Sequence, residues 1–327
     1  MRTHDFNYLN KAYQTGGTHL LRRVFNDAVS HDKQEALNQL DDDSLLFPVF
    51  FLLLRDVAAH DMCGDLNGRN AIAYGLCADK IKNLSGLRTA AEEADGDALE
   101  LTLRWMLETG KNEPTDPSFR NEFDAVIDYV AALLIIKFDD KTALALVADL
   151  IFRRNRQGLL IHDLVWSFFQ TLDTATLLHI ADYLLSSNPK DAALAQKILH
   201  VEAADPGENK RALHRRVTDW IRQNGPYLYL TGEHLQQITN PVHLRCDREA
   251  KYLNKEISPR YRAPLEPLST AERACLSRYR EANDDEQQIL TDYSYQLRGR
   301  DMRLWDVWLQ KETAEQVIAA GERTEAI

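Results

Sequence analysis

Only four cysteines occur in 327 residues, Cys63, Cys77, Cys246 and Cys275, and no CxxC pair is among them. Their spacing does not resemble a disulfide framework, so reduced thiols and a cytoplasmic setting are the expectation. Glycine and proline are sparse, at 14 and 10 residues. Few positions therefore interrupt helices. Long apolar runs are also missing. The segment Leu45 to Leu54 is the most apolar, is about ten residues long and contains Pro48, which is too short to span a bilayer. The start, Met1-Arg2-Thr3-His4-Asp5-Phe6, lacks the apolar stretch of a signal peptide. No membrane association is expected. No P-loop, dinucleotide fingerprint or GxSxG sequence is present. Positive charge is in deficit: 39 Lys and Arg face 50 Asp and Glu, for a net charge of −11. General attraction to nucleic acid or anionic lipid is therefore not expected.

What the chain does have is helical patterning. Its apolar fraction of 44% supports a substantial core. From Asp139 to Leu199 four amphipathic helices form two similar pairs, related by a shift of 33 residues. Leu144, Val147, Ala148, Asp149 and Ile151 fall on Leu177, Ile180, Ala181, Asp182 and Leu184. Ile161, Val165 and Trp166 fall on Leu194, Ile198 and Leu199. Apolar residues three and four apart cover one side of each helix, and stacking one pair on the next would bury both sides. A shorter signature, an aspartate interrupting an apolar run, recurs at Asp128, Asp149, Asp182 and Asp219. It reads as a solvated edge of the buried stripe, with a row of carboxylates on one face as the functional alternative.

In chain order, residues 1–17 read as an irregular lead, with Thr18 capping the first helix. Asp41-Asp42-Asp43 supplies charge to the N-terminus of an apolar helix placed centrally in an N-terminal bundle. A break near Asp95-Gly96-Asp97 and a linker from Lys111 to Pro117 follow. Beyond Asn224-Gly225-Pro226 the periodicity fades, and a short hairpin around Tyr227–Glu233 is the sole strand candidate. Ser269-Thr270-Ala271-Glu272 is a capping-box pattern. A last helix is expected over Asp301–Ala320, with Trp305 and Trp308 on one side. The expected class is all-α: a helical bundle (1–110), an α-solenoid-like array of helix pairs (111–225), and a partly irregular helical C-terminal module (226–327), packed on the array.

The punctuation Asn188-Pro189-Lys190-Asp191-Ala192, with helix pairs of about 33 residues, resembles tetratricopeptide-like repeats over roughly residues 115–223. The resemblance implies an α-solenoid that binds a peptide or protein, and it carries over no individual binding residue. The leading expectation is a non-catalytic protein- or peptide-binding scaffold without a cofactor. Trp166, Tyr183 and Trp220 are the candidate binding residues; the pattern does not decide which helix group is core.

Two other readings stand beside it. His31, His60 and Asp61 resemble the ligand pattern of HD-domain phosphohydrolases, which bind a divalent metal through a His, a His-Asp pair and a later Asp. That resemblance implies Asp124 or Asp128 as fourth ligand and a metal-activated water. The second is an all-α binder of a small apolar ligand in a bundle core. Smaller groupings are His60, Cys63 and Cys77, or His234, His243 and Cys246, as zinc ligands, for which buried free thiols are the simpler reading. Asp65-Leu66-Asn67-Gly68 starts like a calcium loop, but its twelfth position, Leu76, is not acidic. Arg153-Arg154-Asn155-Arg156 and Lys210-Arg211 with Arg215-Arg216 are local basic clusters. They read as complements to helix dipoles, with phosphate or RNA contact as the alternative.

Overall fold

A computed structural model describes residues 7–84, 89–111, 114, 116–171, 173–202 and 207–324. The chain is all-α: seventeen α-helices and two short strands occur among the described residues. Contacts divide it into two units, Met1–Thr171 and Leu172–Ile327. The division lies inside the stretch 111–225 that the sequence suggests as one array. Among the described residues no helix is long and apolar enough to cross a membrane.

The first unit holds α1 (Tyr8–His31), α2 (Lys33–Leu40), α3 (Phe47–Ala59), α4 (Gly68–Lys80), α5 (Thr89–Glu92), α6 (Gly96–Gly110), α7 (Pro117–Ile136), α8 (Ala143–Gln157) and α9 (His162–Phe169). The first helix starts earlier than the expected Thr18. Asn7 caps it, its side chain accepting from the backbone N–H of Leu9 and Asn10. Gly16 and Gly17 break this helix rather than precede it, and Gly17 takes φ 64°, a conformation suited to glycine.

Helix α3 is buried on nearly every side, from Phe47 to Leu54 and at Val57. The Phe47 ring stacks on Phe123 of α7 at 5.6 Å, and Phe51 meets Phe123 edge-on at 5.0 Å. These contacts explain why the chain after the Lys111–Pro117 linker returns to the N-terminal bundle: α7 packs on α3, α4 and α6. Asp42 stays at the entry to α3, accepting from Ser44 N–H at 2.7 Å, but the two aspartates beside it serve a different helix from the one expected. Asp41 Oδ1 accepts from the Asn70 amide at 2.9 Å, and Asp43 faces Arg69 at 3.7 Å, both on α4. The expected break near Gly96 is present as the start of α6 after Asp95.

The second unit holds α10 (Leu177–Ala181), α11 (Pro189–Leu199), α12 (Lys210–Asn224), α13 (Arg248–Leu253), α14 (Thr270–Glu281), α15 (Asp284–Arg300), α16 (Met302–Leu309) and α17 (Thr313–Thr324). Strand β1 (Leu228–Leu230) pairs antiparallel with β2 (Leu244–Cys246), placing Leu228 opposite Cys246. The strand forms where expected, but its partner lies beyond Glu233. The capping box is complete, Ser269 Oγ accepting from Glu272 N–H and Glu272 accepting from Ser269 N–H. The expected last helix is two helices, because the chain turns at Gln310–Glu312. Trp305 and Trp308 of α16 join a core with Tyr252, Tyr279, Leu290 and Leu297.

The 33-residue correspondence is visible in burial. Leu144, Val147, Ala148 and Ile151 are buried, as are Leu177, Ile180, Ala181 and Leu184. The backbones differ: α8 is one continuous helix, whereas its counterpart is the five-residue α10 followed by a 3-10 turn at Asp182–Leu185.

Candidate functional site

Helix α12 ends at Asn224, and a 3-10 turn Gly225–Tyr227 redirects the chain into β1. Helix α13 ends on Asn254, which takes φ 52° and donates its N–H back to the last turn. Short polar asparagine tolerates this left-handed position as a helix C-cap. Helix α15 ends at Arg300, just before Asp301 caps α16. These termini surround a cavity of about 560 Å³. Arg222, Arg298 and Arg300 line it with Tyr227, Tyr295, Gln223, Gln296, Asn254, Pro226, Gly299 and Met302. No carboxylate, imidazole or thiol is among these lining residues.

Asn254 organises the site. Its Oδ1 accepts from the Tyr227 hydroxyl at 2.8 Å and from the Arg298 guanidinium. The Arg298 guanidinium also lies over the Trp305 ring, 5.5 Å from its centroid. Two neutral contacts thus fix its orientation without neutralising its charge. Arg222 meets Asp219 only at 3.7 Å, and both side chains are more than half exposed, a pairing worth about 0–1 kcal/mol. Arg300 is exposed. The Tyr227 ring meets Tyr295 edge-on at 6.3 Å. Burial, reinforced by Tyr295, pushes the Tyr227 phenol up to about 12, while Arg298 pulls it the other way. Tyr227 is therefore neutral at ordinary pH, with its one proton engaged by Asn254. The positive charge of the guanidiniums suits binding of an anion.

The residues singled out by the sequence lie elsewhere. Trp166 on α9 is 36% exposed and belongs to the first unit. Trp220 on α12 is 44% exposed, and Tyr183 is half-buried in the 3-10 turn that α12 packs against. His214 of α12 bonds Asp182 beside Tyr183 at 3.2 Å. The structure thus brings the elements of Tyr183 and Trp220 together.

The alternative metal set His31, His60, Asp61 and Asp128 is not assembled. Among the described residues no group of three or more His, Cys, Asp or Glu could hold a metal ion. The side chains of His31, His60 and Asp128 have other partners, and Asp61 is engaged through its backbone. His31 Nδ1 contacts the Asp27 carbonyl at 2.8 Å, His60 Nε2 contacts Asn26 Oδ1 at 2.6 Å, and the Asp61 carbonyl accepts from Lys33 at 3.3 Å. Asp128 pairs with Arg154 at 2.6 Å, and Asp124 meets the same guanidinium at 3.1 Å.

That pairing also removes Arg154 from the candidate phosphate contacts, since it is only 1% exposed. Two members of the second basic cluster are engaged, Lys210 donating to the Ser186 carbonyl at 2.6 Å and Arg216 pairing with Glu208 at 3.0 Å, while Arg211 and Arg215 are exposed. Among the suggested zinc ligands, Cys77 is fully buried, and burial pushes its thiol up. Asn67 of the calcium-like segment caps α4, accepting from Asn70 N–H at 2.8 Å.

The pocket itself was legible only as Arg298-Gly299-Arg300 at a helix end and as Tyr227 just past another. Their convergence depends on Asn254, which no periodicity marks. No family model, curated protein or solved structure matches the chain.

Proposed function

We propose that this is a non-catalytic binding protein whose second unit receives an acidic segment of a peptide or protein partner. The carrying observation is the cavity where Arg222, Arg298 and Arg300 gather with Tyr227 and Tyr295 and no carboxylate. In a chain of net charge −11, such a local positive field selects its ligand by position rather than by overall charge. The helix pairs serve as the scaffold, and the partly exposed Trp220 on α12 extends the contact surface of the same unit.

The test is fluorescence anisotropy with a degenerate peptide pool fixed as glutamate at its centre. Binding should weaken as salt rises and should fall at least tenfold with Arg222→Glu plus Arg300→Glu. A lysine-centred pool should not bind. Equal binding of both pools, or indifference to the two substitutions, would sink the reading.

A further inference from the structure

We infer that the anion taken by this pocket is a phosphomonoester carried on a side chain of the partner peptide; the inference rests on the acidic-peptide reading and narrows it. Charge supports it first. Three guanidiniums line one cavity, no carboxylate is among its lining residues, and Arg222 meets Asp219 only at 3.7 Å. A single carboxylate brings one negative charge. A phosphomonoester brings about −1.5 to −2 charges and three acceptor oxygens. It can therefore engage several guanidinium forks at once.

Pre-organisation supports it second. Arg298 is held between Asn254 Oδ1 and the Trp305 ring, so its guanidinium is already oriented before a ligand arrives. A rigid fork loses less on binding than a free one. Arg222 and Arg300 are exposed and can close on the other oxygens from the ends of α12 and α15.

Size supports it third. The cavity of about 560 Å³ lies in the range of roughly 300–1,000 Å³ that accommodates organic ligands. A bare tetrahedral ion would cover only part of this open recess. Pro226, Met302 and the ring of Tyr295 add apolar wall beside the charges. The ligand therefore has a carbon body attached to its anion, and a phosphorylated side chain supplies both.

The experiment titrates the intact protein with labelled degenerate peptides centred on phosphotyrosine, phosphoserine or glutamate, and competes them with inorganic phosphate and a nucleoside monophosphate. The expected result is at least tenfold tighter binding of a phosphorylated pool than of the glutamate pool. That preference should disappear with Arg222→Ala plus Arg300→Ala, two exposed positions, while thermal unfolding of the variant stays unchanged. Equal binding of phosphorylated and glutamate pools would overturn the phosphate assignment and leave the acidic-peptide reading intact. Binding of neither would overturn both. A nucleoside monophosphate or inorganic phosphate competing at its own concentration as well as the phosphopeptide would overturn the peptide source.

Discussion

Tyr227 and Arg298, 71 residues apart in the chain, donate to one acceptor, the side-chain oxygen of Asn254. Asn254 does this from a left-handed backbone position. Two substitutions separate its roles. Asn254→Gly keeps the backbone at ease and removes the acceptor, leaving a mostly buried phenol unpaired. It should cost about 1–3 kcal/mol in urea unfolding. Asn254→Asp keeps an acceptor and adds a charge that Arg298 welcomes. That variant should unfold close to the parent, yet bind anionic peptides at least tenfold more weakly. If Asn254→Gly unfolds like the parent, the shared acceptor is not a structural element.

Arg154 is the largest of the fully buried side chains and faces two carboxylates, Asp124 and Asp128. Burial pushes the Asp128 carboxyl up to about 6, against the pull of Arg154. Arg154→Met should cost about 3–5 kcal/mol at pH 8, because it strands buried charge. A carboxyl raised in the folded state binds more protons there, so stability falls as pH rises through the window from about 4 to above 6. Without Arg154 the carboxyl rises further. The deficit of Arg154→Met should therefore shrink at pH 5, and adding Asp128→Asn should recover part of it at pH 8. A deficit identical at both pH values would contradict the charge explanation.

His243 is buried, its Nδ1 facing the Glu233 carbonyl at 3.2 Å. Burial pulls the imidazole down to about 4 despite Glu233. A histidine depressed in the folded state binds fewer protons than in the unfolded chain. Stability is therefore lost as pH falls from about 6.5 to 4, by up to roughly 3 kcal/mol. His243→Gln removes this titration. Urea midpoints at pH 7 and pH 4.5 should converge for the variant relative to the parent. Parallel pH slopes for the two proteins would refute the assignment.

Gly110 closes α6 against α7, where an added Cβ would stand 2.6 Å from Ile127 Cδ1. Alanine gains up to about 1 kcal/mol of helix propensity there and loses about 1–3 kcal/mol to overpacking. Gly110→Ala should thus be mildly destabilising, and Ile127→Val should cost about 0.5–1.5 kcal/mol by itself. The valine lacks the crowded methyl, so the double variant should be more stable than the sum predicts. Simple additivity would show that the contact relaxes elsewhere.

The helical class was readable because apolar residues recur at helical spacing and few glycines or prolines interrupt them. The cap at Ser269 was readable because it depends on neighbours within four residues. Long-range placement was not. Nothing local reveals that Phe123 seeks Phe47, so the chain after residue 111 looked like a new array. His31 and His60 looked like a pair of ligands because their spacing fits one, but Asn26, on α1 and 34 residues before His60, holds His60 instead. The short β1 was readable from Tyr229 and its flanks, while its partner across the intervening loop was not.

The cavity between the ends of α12 and α15 has a practical consequence. Its walls come from segments near residues 222–227, 254 and 295–302, which are together only while the second unit is folded. Any molecule seated there must hold those segments against melting, whatever its identity. At a hundredfold excess over its dissociation constant it should add about 2.7 kcal/mol to unfolding. Heat itself can therefore report occupancy, and a panel of unlabelled metabolites and peptides can be sorted by melting temperature alone, with no assay of activity.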